Sequence, residues 1–256
     1  MQNVIDAVSK ILKNLKFAVY IKYLIKESIS GIVIAAAVAA ATLMVDNYTA
    51  IQEEGNKLSK VSIGLSEQYI ESVLGVPIAK EYDDMSEVEI VYYKLDNSVT
   101  WCAYDEEDKV VAFVITTNTK RNMYKVKANS YMKEDAYLND FSYSEFSDTI
   151  QNPIINPADD VNHAYYQEMY KGIWDEAHGS YFLIGTYQDR INDTPFDEIF
   201  DAIIGYQIEE VTEEQLNQMR SRMFPNTYGM IMQGYHIELG VYPMGISRVY
   251  DKVLYW

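Results

Sequence analysis

An uncharged run of 17 residues, 29–45 (ISGIVIAAAVAAATLMV), constrains this chain more than any other feature, because it follows a Lys-bearing tail and precedes about 210 largely polar residues. As a helix it rises about 25 Å, at the short end of what spans a hydrocarbon core of roughly 30 Å. Tyr23, Thr42 and Tyr48 flank or end the run where interfacial residues make up the difference. The chain is therefore expected to be a single-pass membrane protein. Ala39 and Ala41 offer a small-residue cleavage pattern, but 28 residues precede the run, long for the leading region of a signal peptide, so retention is expected. No Cys follows the run closely, which excludes a lipoprotein anchor.

The run is rich in small residues, with Gly31 and Ala35 four apart. Such residues let helix backbones approach closely, and two readings are open: self-association with Ser30 and Thr42 lining a pore, or a monomeric Ala-rich anchor. Upstream, Ile5, Val8, Ile11, Leu12, Leu15, Val19, Tyr20 and Leu24 recur at helical spacing, interrupted by Lys10, Lys13, Lys16 and Lys22. That pattern predicts an amphipathic helix in the headgroup plane, its lysines on anionic lipid. Positive charge ahead of the run places the N-terminus in the cytoplasm and the polar region outside, yet an interfacial helix can lie on either leaflet, so both orientations stay open.

Net charge is −17, of which the first 45 residues contribute +3, leaving −20 for residues 46–256. A domain this acidic repels nucleic acid as a whole and accepts an anionic ligand only at a local basic site. After a polar connector over 46–60, residues 61–120 read as a first α/β unit. Ser66 is a helix N-cap, Ile70, Val73 and Leu74 form an apolar face, and Gly75 and Pro77 stop the helix. Strands are expected at 88–95, 99–104 and 110–117, with turns at Asp96 and Asn97 and across the acidic 105–108. A weaker copy of the helix-meander pattern over 141–256 suggests a duplicated unit: FSYSEFSDTIQNP repeats the helix with its Pro stop, and 165–170 and 181–187 read as strands. Thr212 and Gln215 form a capping-box pair for a third helix with Leu216, Met219 and Met223 on one face. Strands over 228–239 and 246–256 close an α+β fold of short helices on antiparallel sheet. The 23 tyrosines suit half-buried strand positions.

No Gly-rich phosphate loop, nucleophile elbow or CxxC pair occurs, and His163, His178 and His236 lie far apart. Neither enzymatic activity nor a cofactor nor a metal site is expected. The acidic turn 105–108 lacks the Gly and terminal Glu of a calcium loop and reads as a solvated hairpin tip. Cys102 reads as a small buried hydrophobe. One stretch departs from the acidic background. Within 120–133, a connector placed at 121–140, Lys120, Arg121, Lys125, Lys127 and Lys133 occur without an acid and alternate with Tyr124 and Tyr131. Cations beside rings suit a nucleotide or single-stranded nucleic acid, the charges for phosphates and the rings for bases; a solvated connector has the same composition.

The segments IGLSEQYIESVLGVP and YYKLDNSVTWCAYDEEDKVVAFVIT resemble bacterial proteins with an N-terminal membrane helix and a β-lactamase-inhibitor-like α/β module, the membrane effectors of Hailong-type anti-phage defence. The resemblance covers roughly 29–120. It implies a homo-oligomeric channel in the bacterial cell membrane, a tetramer, held closed by single-stranded DNA oligomers from a partner nucleotidyltransferase. Under it Lys120, Arg121, Tyr124, Lys125 and Lys127 are the expected ligand residues, and Gly31, Ala35 and Thr42 serve helix packing or the pore. A competing class is an envelope-facing protein-binding module on a single anchor, with the Tyr-rich sheet as its surface.

Overall fold

The computed structural model describes residues 31–84, 86–117, 123–156, 164–173, 179–188 and 211–235. The residues of the expected amphipathic helix, Ser30, Lys120, Arg121, the three histidines and the strand expected at 246–256 lie outside them. The chain divides into two units, Met1–Glu53 and Glu54–Trp256.

Helix α1 (Gly31–Leu58, 28 residues) covers the described part of the apolar run and continues past its end. The connector expected over 46–60 is thus helical as far as Leu58, because Ala50, Ile51, Gln52, Glu53 and Glu54 are compatible with a helix and no Pro interrupts them. Val38, Leu43, Met44 and Tyr48 are all more than half exposed on α1. The hydroxyls of Thr42 and Thr49 each donate to the carbonyl four residues back, Val38 and Val45, at 2.9 Å. Both hydroxyls are thereby satisfied within the helix. Among the described residues no helix is long and apolar enough to cross a membrane; Ile29 and Ser30 of the run fall outside them.

The second unit is built on one eight-stranded antiparallel sheet. Its opening helix α2 (Glu67–Leu74) starts where expected, with Ser66 Oγ accepting from the Tyr69 N–H at 3.3 Å, and stops at Gly75, whose φ of 95° suits only glycine well. Strands β1 (Ala79–Asp83), β2 (Val88–Lys94), β3 (Ser98–Tyr104) and β4 (Val110–Thr117) follow as a meander. A small separate hairpin, β5 (Lys125–Val126) with β6 (Ala136–Tyr137), precedes the short helix α3 (Tyr143–Phe146). Strands β7 (Ile154–Asn156), β8 (Ala164–Ile173) and β9 (Gly179–Gln188), helix α4 (Glu213–Arg220) and strand β10 (Thr227–Met232) complete the described elements. The sheet order is β1-β2-β3-β4-β10-β9-β8-β7, so two sets of four strands, each opened by a short helix and the second interrupted by α4 before β10, meet with their last strands paired at the centre.

Strand alternation divides the core between two faces. One carries Ile90, Tyr92, Val99, Trp101, Ala103, Ala112, Val114, Leu183 and Ile231, all buried. The other carries Phe113, Phe182, Tyr228, Tyr166 and Tyr170, against which the covering segment lays Tyr124, Tyr131, Tyr143 and Phe146 with ring centroids 4.9–6.3 Å apart. At such spacings each aromatic pair adds about 0.5–1.5 kcal/mol beyond the area it buries.

Candidate functional site

The residues just after α1 and the basic segment 124–129 come together over the aromatic face of the sheet. They line a partly open pocket of about 300 Å³, the lower bound of ordinary small-ligand sites. Its floor is Phe113, Phe182, Tyr228 and Met230, from the three adjacent strands β4, β9 and β10. Ser59, Val61 and Ser62 form one wall; Tyr124, Lys125, Lys127, Ala128 and Asn129 form the other. Two features of the backbone bring these walls together. Gly55 in α1 meets the Met123 carbonyl at a distance a side chain would prevent. One turn of helix carries the chain from there to Ser59, while Met123 leads directly into the basic segment.

Glu54, beside Gly55, is buried although it is a carboxylate. It accepts from the backbone N–H of Asn97 with both oxygens at 3.1 Å, from Asn97 Nδ2 at 3.0 Å and from Ser98 Oγ at 2.5 Å. Its acceptor capacity is met by donors of the β2–β3 hairpin, which locks the end of α1 to the sheet and holds the Ser59–Ser62 wall in place.

Three of the five expected ligand residues are described, and all three line the cavity. Tyr124 is 5% exposed and its ring stacks on Tyr228 at 6.1 Å. Burial raises both phenols well above their usual range, so both are neutral donors at physiological pH. Neither hydroxyl is hydrogen-bonded among the described residues, and both belong to cavity-lining side chains. Lys125 and Lys127 are half-exposed and largely exposed at the mouth, 3.5 and 3.3 Å from the carboxylate of Asp135. Lys125 also lies 5.8 Å from the centre of the Tyr137 ring. The β5–β6 register explains the meeting: Lys125 pairs with Tyr137 and Val126 with Ala136, so the next residues outward are Lys127 and Asp135. The Ala128 N–H, donating at 2.9 Å, and then the two lysines hold the Asp135 carboxyl below the usual carboxylate range.

Sequence reasoning missed Asp135, which stands two residues beyond the acid-free stretch, and missed Ser59, Ser62, Asn129 and the aromatic floor. The hairpin pairing carried a faint signal in the alternation of 124–127 and 135–138; the floor carried none, since its residues are ordinary strand aromatics until three strands are assembled. Tyr131 lies outside the cavity lining and packs instead against Phe146, Tyr170 and Phe182, its hydroxyl donating to the Lys171 carbonyl.

A second charged group lies in the interior. Arg220 and Glu168, 1% and 0% exposed, form a two-pronged ion pair with Nε–Oε1 at 2.8 Å and an NH2–Oε2 contact at 2.7 Å. The remaining guanidinium donors reach Asn217 Oδ1, the Tyr143 carbonyl and the Tyr170 hydroxyl, and both Tyr166 and Tyr170 donate to Glu168. Burial disfavours the charge on Arg220, but the hydrogen bonds and charge of Glu168 outweigh it and keep the guanidinium ionised. This group is buried away from solvent. Among the described residues no cluster of three or more His, Cys, Asp or Glu has metal-binding geometry. Against known proteins, no family model matches the chain and no curated protein matches it.

Proposed function

We propose that this protein is a membrane-attached, homo-oligomeric effector whose globular unit binds a nucleotide or the end of a single-stranded DNA oligomer, and that the bound ligand restrains a channel formed by the apolar helices. The observation that carries the reading is the cavity. It joins cations at the mouth to neutral phenol donors and rings inside, the combination that a phosphate attached to a base requires. The wall at Ser59–Ser62 follows α1 in the chain, so occupancy acts on the residues that anchor the helix. Exposed apolar side chains along α1 and internally bonded threonine hydroxyls suit a helix in lipid or against its own copies. The reading agrees with what resemblance to Hailong-type anti-phage effectors implies, with the ligand side cytoplasmic. We also read the two four-strand sets, each opened by a short helix, as an internal duplication.

The test is purification of the full chain in detergent, with mass determination and absorbance at 260 nm before and after nuclease. The expected result is an oligomer carrying nuclease-sensitive material, lost in the Lys125→Met/Lys127→Met variant with a fall in affinity for a labelled single-stranded DNA 10-mer of at least about tenfold, since each cation contributes a charge-assisted contact. A nucleic-acid-free monomer that ignores the 10-mer sinks the proposal. A second reading has its own observation: Tyr69, Val76, Ile78 and Tyr82 are exposed along α2, the loop after it and β1. They suit an outward-facing protein-binding module. Protease accessibility of the globular unit in intact cells separates the two, because an outward unit cannot meet a cytosolic ligand.

A further inference from the structure

We infer that Asp135 is a resident anion that occupies the phosphate position of the cavity mouth, so that a ligand enters by displacing a carboxylate rather than by meeting two free lysines. The inference rests on the ligand reading above and specifies how the site is regulated.

The geometry leaves Lys125 and Lys127 with one common partner. Asp135 Oδ2 lies 3.5 Å from one ammonium and 3.3 Å from the other, while Oδ1 accepts the Ala128 N–H at 2.9 Å. The carboxylate thereby presents to the lysines what a phosphate oxygen would present, and it is held there by a backbone bond and by hairpin register rather than by chance contact of two long side chains. A phosphate is the better partner, with more charge and more acceptor oxygens, and can take the lysines while Asp135 keeps the Ala128 N–H. Three consequences follow. The empty mouth carries a net charge of about +1 instead of +2, which weakens non-specific attraction of anions on a chain whose acidic remainder already repels them. A singly charged anion cannot outcompete a carboxylate already in place, so the site selects for multiply charged ligands. Removal of the ligand is self-completing, because Asp135 returns to the lysines at once.

The experiment compares the full chain with Asp135→Asn, Asp135→Glu and Lys127→Met, each purified in detergent and stripped with nuclease and high salt. Two probes are titrated: inorganic tripolyphosphate, and a labelled single-stranded DNA 10-mer. Asparagine keeps an acceptor for the Ala128 N–H but removes the charge, so D135N is expected to tighten both probes by about three- to tenfold, the worth of one or two partly exposed ion pairs. D135E is expected to stay within about twofold of the parent and K127M to weaken both probes. Parent-like or weaker binding of both probes by D135N, with an unchanged unfolding temperature and K127M still weakened, overturns the inference and leaves the ligand site standing. Tightening for tripolyphosphate in a protein that never binds the DNA keeps the inference and removes the nucleic-acid reading. Binding of neither probe by any variant removes both.

Discussion

Gly229 stands in the middle of β10, with β4 on one side and β9 on the other. A Cβ there meets Val114 Cγ2 at 2.6 Å and the Phe113 carbonyl oxygen at 2.8 Å. Only the absence of a side chain lets the central pair of strands close, and Phe113 and Tyr228, next to this contact, are part of the cavity floor. Gly229→Ala is expected to cost about 1–3 kcal/mol, the usual price of forcing one extra carbon into a filled core, read as a lower urea midpoint with unchanged slope. An unchanged midpoint contradicts the close approach. Cys102, on β3, two strands away, behaves as its sequence context suggests: it is fully buried, and desolvation pushes its thiol up to about 12. Tyr124 was legible only as a ring beside cations. That its ring lies on Tyr228 depends on a residue 104 positions away.

Helix ends were the most legible elements. Ser66, Thr212 and Gln215 act as read, the last two as a reciprocal capping box, because a cap is chemistry among residues three apart. The strands 88–94, 98–104 and 110–117 followed from runs of β-branched and aromatic residues, while β1 and β7 at the sheet edges did not, being short and mixed in character. The apolar face expected for α4 included Leu216, Met219 and Met223; the structure also turns Arg220 inward, onto Glu168 of β8. Periodicity cannot foresee a buried charge, since its partner lies 52 residues away. Arg220→Met is expected to destabilise the globular unit by about 3–5 kcal/mol by leaving Glu168 unpaired in the interior, and Glu168→Gln in the same chain is expected to restore much of the loss. Equal destabilisation in the single and double variants contradicts that account.

At the scale of the whole molecule, an uncharged run stands ahead of a strongly acidic remainder. On the proposed reading of a membrane-attached oligomer, Gly31 and Ala35 serve close helix packing, so Gly31→Leu is expected to convert that oligomer in detergent to smaller species by light scattering, while membrane extraction stays the same. An unchanged oligomer places the association elsewhere. The segments read as a first and a second α/β unit each contribute four strands to one continuous sheet. Each set alone leaves an unpaired edge at β4 or β10, and pairing those edges satisfies the backbone of both.

The sequence by itself determined the uncharged run, the acidity of everything after it, the helix caps and the central strands, because each is a property of neighbours along the chain. It also marked a basic segment. Only the tertiary structure decided that Lys125 and Lys127 are already held by Asp135, that Ser59 and Ser62 face them, and that Phe113, Phe182 and Tyr228 lie beneath. A cavity is the space left when distant surfaces meet without filling it, and that remainder depends on long-range register and close backbone approach rather than on the preferences of any local stretch.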